Sequence, residues 1–247
     1  MPENLPEHFY HFDQEKLFCF SCHPGVACFT ECCRQLDLAL TPYDVLRLKN
    51  SLKIHSDRFL EQYVIIEWDE RVVFPQCYLT MVDDGRASCV FVSPDGCTVY
   101  PDRPSACRAY PVGRGARQEK YGCVDECFVL VKEHHCLGFA EKATQTPGEY
   151  FIGQGLAEYN RLNDALTAIL HHEQIRKGYR PNRSQLDQYL LALYNLDIFR
   201  QEMADGRITM NRPLRPDELQ GLAGDDEKLL LLGMAWLQQE LFDNDCR

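Results

Sequence analysis

Twelve of the thirteen cysteines fall between residues 19 and 136, and no other feature limits so tightly what this chain can fold into. They come as Cys19-x2-Cys22-x5-Cys28-x3-Cys32-Cys33, then Cys77, then Cys89-x7-Cys97-x9-Cys107, then Cys123-x3-Cys127-x8-Cys136, with Cys246 far behind. Close spacing lets one short loop deliver two or three sulfurs to an ion without a large closure entropy. Zinc, or iron in a sulfide cluster, takes four thiolates at a site. A disulfide framework is the alternative, but it needs an oxidising compartment and prefers an even count. The opening residues, MPENLPEHFYHF, have neither a basic n-region nor an apolar h-region. The expectation is a cytoplasmic protein whose thiols hold metal.

Cys32 and Cys33 are neighbours in the chain. Successive side chains diverge by about 100° in a helix and about 180° in a strand, so neighbours rarely aim at one ion. Either the backbone turns there, or the two sulfurs serve different metals, and two centres in one small domain become a reasonable expectation. Only Cys19-x2-Cys22 has the spacing of a zinc knuckle, and no histidine keeps a regular partner spacing, although His23, His134 and His135 adjoin cysteines. Ligand sets of cysteine alone, with wide loops and the flanking aromatics Phe18, Phe29, Phe91 and Tyr110, point to iron–sulfur, most simply two [4Fe-4S] clusters. Zinc is the alternative.

Composition removes other classes. The formal net charge is −11, from 26 basic and 37 acidic residues. A nucleic-acid module needs a basic footprint to neutralise phosphates, so nucleic acid is excluded as the main partner. No apolar run approaches the roughly 18–20 residues that span a bilayer, so no membrane segment is expected. A local basic excess stands out between 100 and 120, where Arg103, Arg108, Arg114, Arg117 and Lys120 face Asp102 and Glu119. Guanidinium groups there would offset thiolate charge or receive an anion, with a solvated loop as the plain alternative.

The pattern predicts an α+β chain with two parts. Residues 1–140 read as an irregular cysteine-rich metal domain of short helices and hairpins, and 141–247 as a helical subdomain packed on it. Thr41-Pro42-Tyr43-Asp44 starts a helix with a capping box, and Ser56 starts another. Val64–Ile66 with Val72–Phe74, and Cys89–Val92 with Cys97–Tyr100, read as hairpins. Pro104 opens a helical turn carrying Cys107, which places Arg103 one turn before Cys107 and turns Arg108 aside. Further on, Tyr150 to Ile169 keeps helical spacing, Ser184 caps a segment reaching toward Gly206, and a last helix begins near Asp226.

Two stretches carry a family resemblance: Cys22-His-Pro-Gly-Val-Ala-Cys28-Phe-Thr-Glu-Cys32-Cys33-Arg34 with Leu40-Thr-Pro-Tyr-Asp-Val-Leu-Arg-Leu-Lys49, and Cys97-Thr-Val-Tyr100-Pro-Asp-Arg103-Pro104-Ser-Ala-Cys107-Arg108-Ala-Tyr110-Pro111. Over roughly residues 18–140 the chain resembles the YkgJ-type cysteine-cluster proteins, the zinc- or iron-chelating CxxCxxCC family. The resemblance implies the metal ligands Cys22, Cys28, Cys32, Cys33, Cys89, Cys97 and Cys107, with Cys136 as the eighth, and Arg103, Arg108 and Tyr100 beside them. It leaves Cys19, Cys77, Cys123 and Cys127 without a role. Flagellin lysine N-methylases carry a similar cluster, which keeps protein methylation open. No P-loop or G-x-G-x-x-G follows a strand, and Gly153-Gln-Gly155 lies inside a helical pattern. Three classes remain: a redox or catalytic cluster protein, a metal carrier, and an interaction module for a protein partner built on structural zinc.

Overall fold

The computed structural model describes residues 8–118, 124–210, 215, 221–222 and 224–242. Helices and strands are both present, as an α+β chain requires. The chain divides into two compact units that interleave in sequence: residues 1–38 with 80–160, and residues 39–79 with 161–247. This division does not follow the change of composition near residue 140. Among the described residues no helix is long and apolar enough to cross a membrane.

The first unit carries a three-stranded antiparallel sheet, in which β10 (Val124–Val131) lies between β1 (Phe9–Phe12) and β9 (Val112–Gln118). Its other strands are two residues long: β2 (Phe18–Cys19) with β11 (Thr144–Gln145), β5 (Met81–Val82) with β6 (Ser88–Cys89), and β7 (Val92–Ser93) with β8 (Gly96–Cys97). The second expected hairpin thus forms over a shorter span. Tyr100–Asp102 makes a 3-10 turn instead of extending it, because Pro101 cannot donate to a ladder. Pro104 precedes α3 (Ser105–Ala109), the turn that carries Cys107. The helix expected across Tyr150 breaks in two, α4 (Pro147–Gly153) and α5 (Ala157–Leu170). Gly155, at φ 65°, takes a left-handed conformation that glycine adopts without strain, and this ends α4.

The second unit holds α1 (Pro42–Leu52), α2 (Ser56–Tyr63), most of α5, α6 (Glu173–Arg176), α7 (Arg183–Leu193), α8 (Leu196–Ala204) and α9 (Asp226–Phe242), with one hairpin. Thr41 caps α1 in the expected box with Asp44. The cap of α7 is Asn182 in a box with Gln185, not Ser184, and the run toward Gly206 breaks at Asn195. The hairpin pairs β3 (Val64–Glu67) with β4 (Gln76–Leu79), so its second strand lies beyond the Val72–Phe74 expected. Phe74 is buried and stacks on Tyr189 at 4.6 Å, an aromatic contact that outweighs the strand pattern. Leu162, Leu193, Phe199, Leu229, Leu230 and Leu237 are sealed from solvent and form this core.

Helices α7 and α9 meet at Gly233, where a β-carbon would stand 2.4 Å from the Ala192 carbonyl oxygen. Only a hydrogen fits there. Gly233→Ala should therefore force the helices apart and cost about 1–3 kcal/mol, the usual penalty of overpacking. A chemical denaturation midpoint equal to that of the unaltered chain would show that the contact gives way easily.

Candidate metal centre

The site is built from short pieces of the first unit. Glu31–Cys33 forms a 3-10 turn, flanked by Thr30 at φ 69° and Gln35 at φ 53°. Both are left-handed positions that cost a non-glycine residue, a β-branched threonine most of all. The turn is held by hydrogen bonds: Arg34 Nη1 donates to the Thr30 carbonyl at 2.5 Å, and Gln35 N–H donates to the Ala87 carbonyl at 2.9 Å. Of the two readings of the adjacent pair, the backbone turn is the one seen.

Neighbouring segments bring further thiols to this turn. Leu137 N–H donates to Cys28 Sγ at 3.1 Å, and Ser21 N–H to the Gly138 carbonyl at 3.1 Å, which sets the loop of Cys136 beside Cys28 and Cys22. A β-bridge between Arg34 and Ser88 puts Cys33 beside Cys89. Phe91 N–H donates to Cys89 Sγ at 3.5 Å, and Thr98 N–H to the Phe91 carbonyl at 2.8 Å, tying Cys97 to the same place. Cys22, Cys28, Cys32, Cys33, Cys89, Cys97 and Cys136 thus share one neighbourhood. None of the eleven described cysteines is in a disulfide, and Cys123 and Cys246 lie outside the described residues.

Burial pushes the Cys22 thiol up to about 11, helped by the charges that Cys32, Cys28 and Cys136 would carry, while Arg103 pulls it down. The Cys33 hydrogen bond, then burial, holds Cys32 well above its ordinary value. Burial is also the main cause of the upward shifts of Cys89, Cys97 and Cys136. Gathered thiolates repel one another, and a soft cation among them reverses that penalty. Among the described residues no three Cys, His, Asp or Glu side chains already close on a point as ligands would.

A second observation tests whether a metal suits these residues. The Tyr110 hydroxyl is sealed from solvent without an aligned hydrogen-bond partner, and it faces the Cys136 sulfur and the Glu133 carboxylate. Its ring packs against Phe20 at 6.1 Å, and Phe20 in turn meets Phe139 and Tyr150. A metal-bound thiolate at Cys136 would offer this buried donor a strong acceptor. The donor set therefore fits a thiophilic metal.

Four more cysteines are described. Cys107 is carried by α3 and exposed, as Cys22 is in its loop, and Cys19 is exposed beside Thr144, 3.5 Å from its hydroxyl. Cys127 lies opposite Gly115 in the three-stranded sheet. Cys77 is buried in the second unit, and burial pushes its thiol up to about 12.

Arg103 and Arg108 are buried, and they differ in what they hold. Arg103 lies over the ring of the exposed Tyr100, 3.8 Å from its centroid, and donates to the Tyr100 carbonyl at 2.7 Å and to the side chain of Gln154. Its charge lowers the thiols of Cys22 and Cys97. Arg108 was expected to reach a carboxylate or an incoming anion. Instead it donates to the backbone carbonyls of Arg103 (3.2 Å), Gln154 (2.7 Å) and Pro101, and sits over Tyr159. One arginine supplies charge to the thiols and the other pins the loop in front of them. Gln154, which binds both, gave no signal in sequence because its glycine neighbours read as helix interior. Arg114 pairs with Glu126, and Glu119 and Lys120 lie outside the described residues.

Seven thiols gather around one turn, beside a buried cation and an aromatic wall. The family model CxxCxxCC, described as "Putative zinc- or iron-chelating domain", matches residues 21–137. No curated protein and no solved structure matches the chain.

Proposed function

We propose that this protein binds zinc or iron through the thiolates of its CxxCxxCC domain, and that Cys22, Cys28, Cys32, Cys33, Cys89, Cys97 and Cys136 are the ligands. The observation that carries this reading is the gathering of these seven thiols around the strained turn of Cys32 and Cys33. Such a centre supplies structural cross-linking, or a store from which metal is passed on. Anaerobic purification followed by metal analysis tests it. Stoichiometric zinc or iron, lost together with ligand cysteines replaced by serine, is the expected result. A metal-free, fully folded protein would overturn the reading.

The cysteine-only donor set and the aromatic wall of Phe20, Tyr110 and Tyr150 favour a second reading, iron–sulfur clusters in a redox or catalytic protein, methyl transfer included. Acid-labile sulfide and charge-transfer absorption in the anaerobic protein decide between the two. On this second reading Arg103→Ala should lower the reduction potential, because the more negative reduced cluster loses its nearby counter-charge. Potentiometry showing an unchanged or raised potential would leave Arg103 as a structural arginine.

A further inference from the structure

A polar atom lies buried and unpaired where the thiols gather. Among the described residues, the Tyr110 hydroxyl finds no hydrogen-bond partner of proper geometry, although it is sealed from solvent. A buried donor left in this state is costly, and it needs a physical reason such as a bound ion or a chemical role. The backbone gives Tyr110 no freedom to turn away. Its N–H donates to the Ala106 carbonyl at 3.1 Å, and its carbonyl receives the Tyr150 hydroxyl. The next carbonyl, that of Pro111, receives the Val131 N–H at 2.8 Å. The Tyr110 ring packs on Phe20, 6.1 Å between centroids. The loop after Cys136 packs on the same Phe20 ring: a β-carbon at Gly138 would stand 2.7 Å from it, and Phe139 meets it at 5.3 Å. The Ser21 N–H holds the Gly138 carbonyl at 3.1 Å, and the Leu137 N–H donates to Cys28 Sγ at 3.1 Å. Phe20 thus carries both Tyr110 and the loop of Cys136, and the hydroxyl faces Cys136 and Glu133.

These two acceptors are not equivalent. The Glu133 side chain is 39% exposed and lies 3.4 Å from His135 Nε2, so water and an imidazole already serve it. The Cys136 sulfur is half-buried. As a neutral thiol it is a weak acceptor, but as a metal-bound thiolate it carries charge, and an O–H donated to it is charge-assisted. We infer that Tyr110 is a positioning residue for the metal: its hydroxyl donates to the Cys136 sulfur once that sulfur is a metal-bound thiolate, and this raises metal affinity. The inference rests on the metal-binding reading above. It separates Tyr110 from Phe20, which lends the site only an apolar ring.

The experiment uses the full, reduced chain under anaerobic conditions, with cobalt(II) as the probe and a chromophoric chelator in competition. Tyr110→Phe removes one oxygen and leaves the ring in place. It should weaken cobalt binding about 10–100-fold, as loss of a hydrogen bond to a metal ligand does. The thiolate-to-cobalt charge-transfer band should move to lower energy, because a sulfur without its hydrogen bond is the stronger electron donor. Tyr110→Phe should cost nothing further in a Cys136→Ala background and its full share in a Cys97→Ala background. If Cys136→Ala takes up no cobalt, the band position in Tyr110→Phe decides alone. Unchanged affinity with an unmoved band would overturn the inference and leave metal binding intact. A loss of affinity with the band unmoved would also overturn it, since Tyr110 would then act through packing. So would a loss that survives Cys136→Ala, or one that disappears in Glu133→Gln, which would make the carboxylate the acceptor. A chain that takes up no cobalt would sink the metal-binding reading itself.

Discussion

Removing metal from the purified protein should unfold much of the first unit while the second stays folded. The elements that carry Cys19, Cys32, Cys33, Cys89 and Cys97 are two-residue strands and a three-residue turn. Pieces of that length are not stable alone, because they bury too little surface to offset the backbone entropy they lose. On the metal-binding reading, thiolate–metal bonds would cross-link them, and structural zinc contributes about 10–16 kcal/mol in small finger domains. That is comparable to the whole usual stability of a domain, about 5–15 kcal/mol. The second unit has none of the candidate ligands and a continuous core of Leu162, Leu193, Phe199, Leu229 and Leu237. Amide hydrogen exchange with and without chelator resolves the two. Protection should collapse over the turn 31–33 and the strands at 88–97, and persist in α7 and α9. Equal protection in both states would mean that the turn and short strands stand without metal.

The sequence was informative wherever one residue type carries one chemistry. Cysteine spacing located the neighbourhood of the site, and the box of Thr41 with Asp44 located a helix start, because a cap depends on a few adjacent residues. It was less informative where long-range packing decides. Nothing in Val72–Phe74 shows that Phe74 would stack on Tyr189 more than a hundred residues away and move the strand to Gln76–Leu79. The glycines at 153 and 155 looked tolerable inside a helix, yet Gly155 takes a left-handed conformation and stops it, which leaves Gln154 free to hold both arginines. The interleaving of the units was hidden for the same reason: segment 39–79 lies among the cysteines in sequence and with the helices in space. Cys107, which its spacing groups with its neighbours, is carried by α3, a turn opened by Pro104 as the sequence indicates.

Replacing Lys49 should be the most damaging single change in the second unit. Lys49 is 5% exposed, and its Nζ lies 3.0 Å from Asp226 and 3.1 Å from Asp197. The two carboxylates also receive Arg200, and Asn50 and the Ser56 N–H complete the network at 2.9 and 2.8 Å. Lys49→Met keeps the length of the side chain but removes the charge between two acids, and breaking a buried pair from one side costs about 3–5 kcal/mol. Burial alone would push Asp226 up, yet the hydrogen bonds from Asn50, Arg200 and Lys49 outweigh it and hold the carboxyl at about 2. A folded value below the unfolded one means stability that is complete above about pH 4 and is lost as pH falls toward 2. Asp197 is shifted the same way, with burial opposed by the Ser56 N–H and Lys49. The difference between Lys49→Met and the unaltered chain should therefore be greatest at neutral pH and shrink as acid protonates both carboxyls. Adding Asp226→Asn to Lys49→Met should recover part of the loss, since it removes one stranded charge. Urea midpoints at pH 7 and pH 3 test both statements. A loss that stays constant across that range would assign Lys49 a packing role through its alkyl chain, with the ion pairs contributing nothing net.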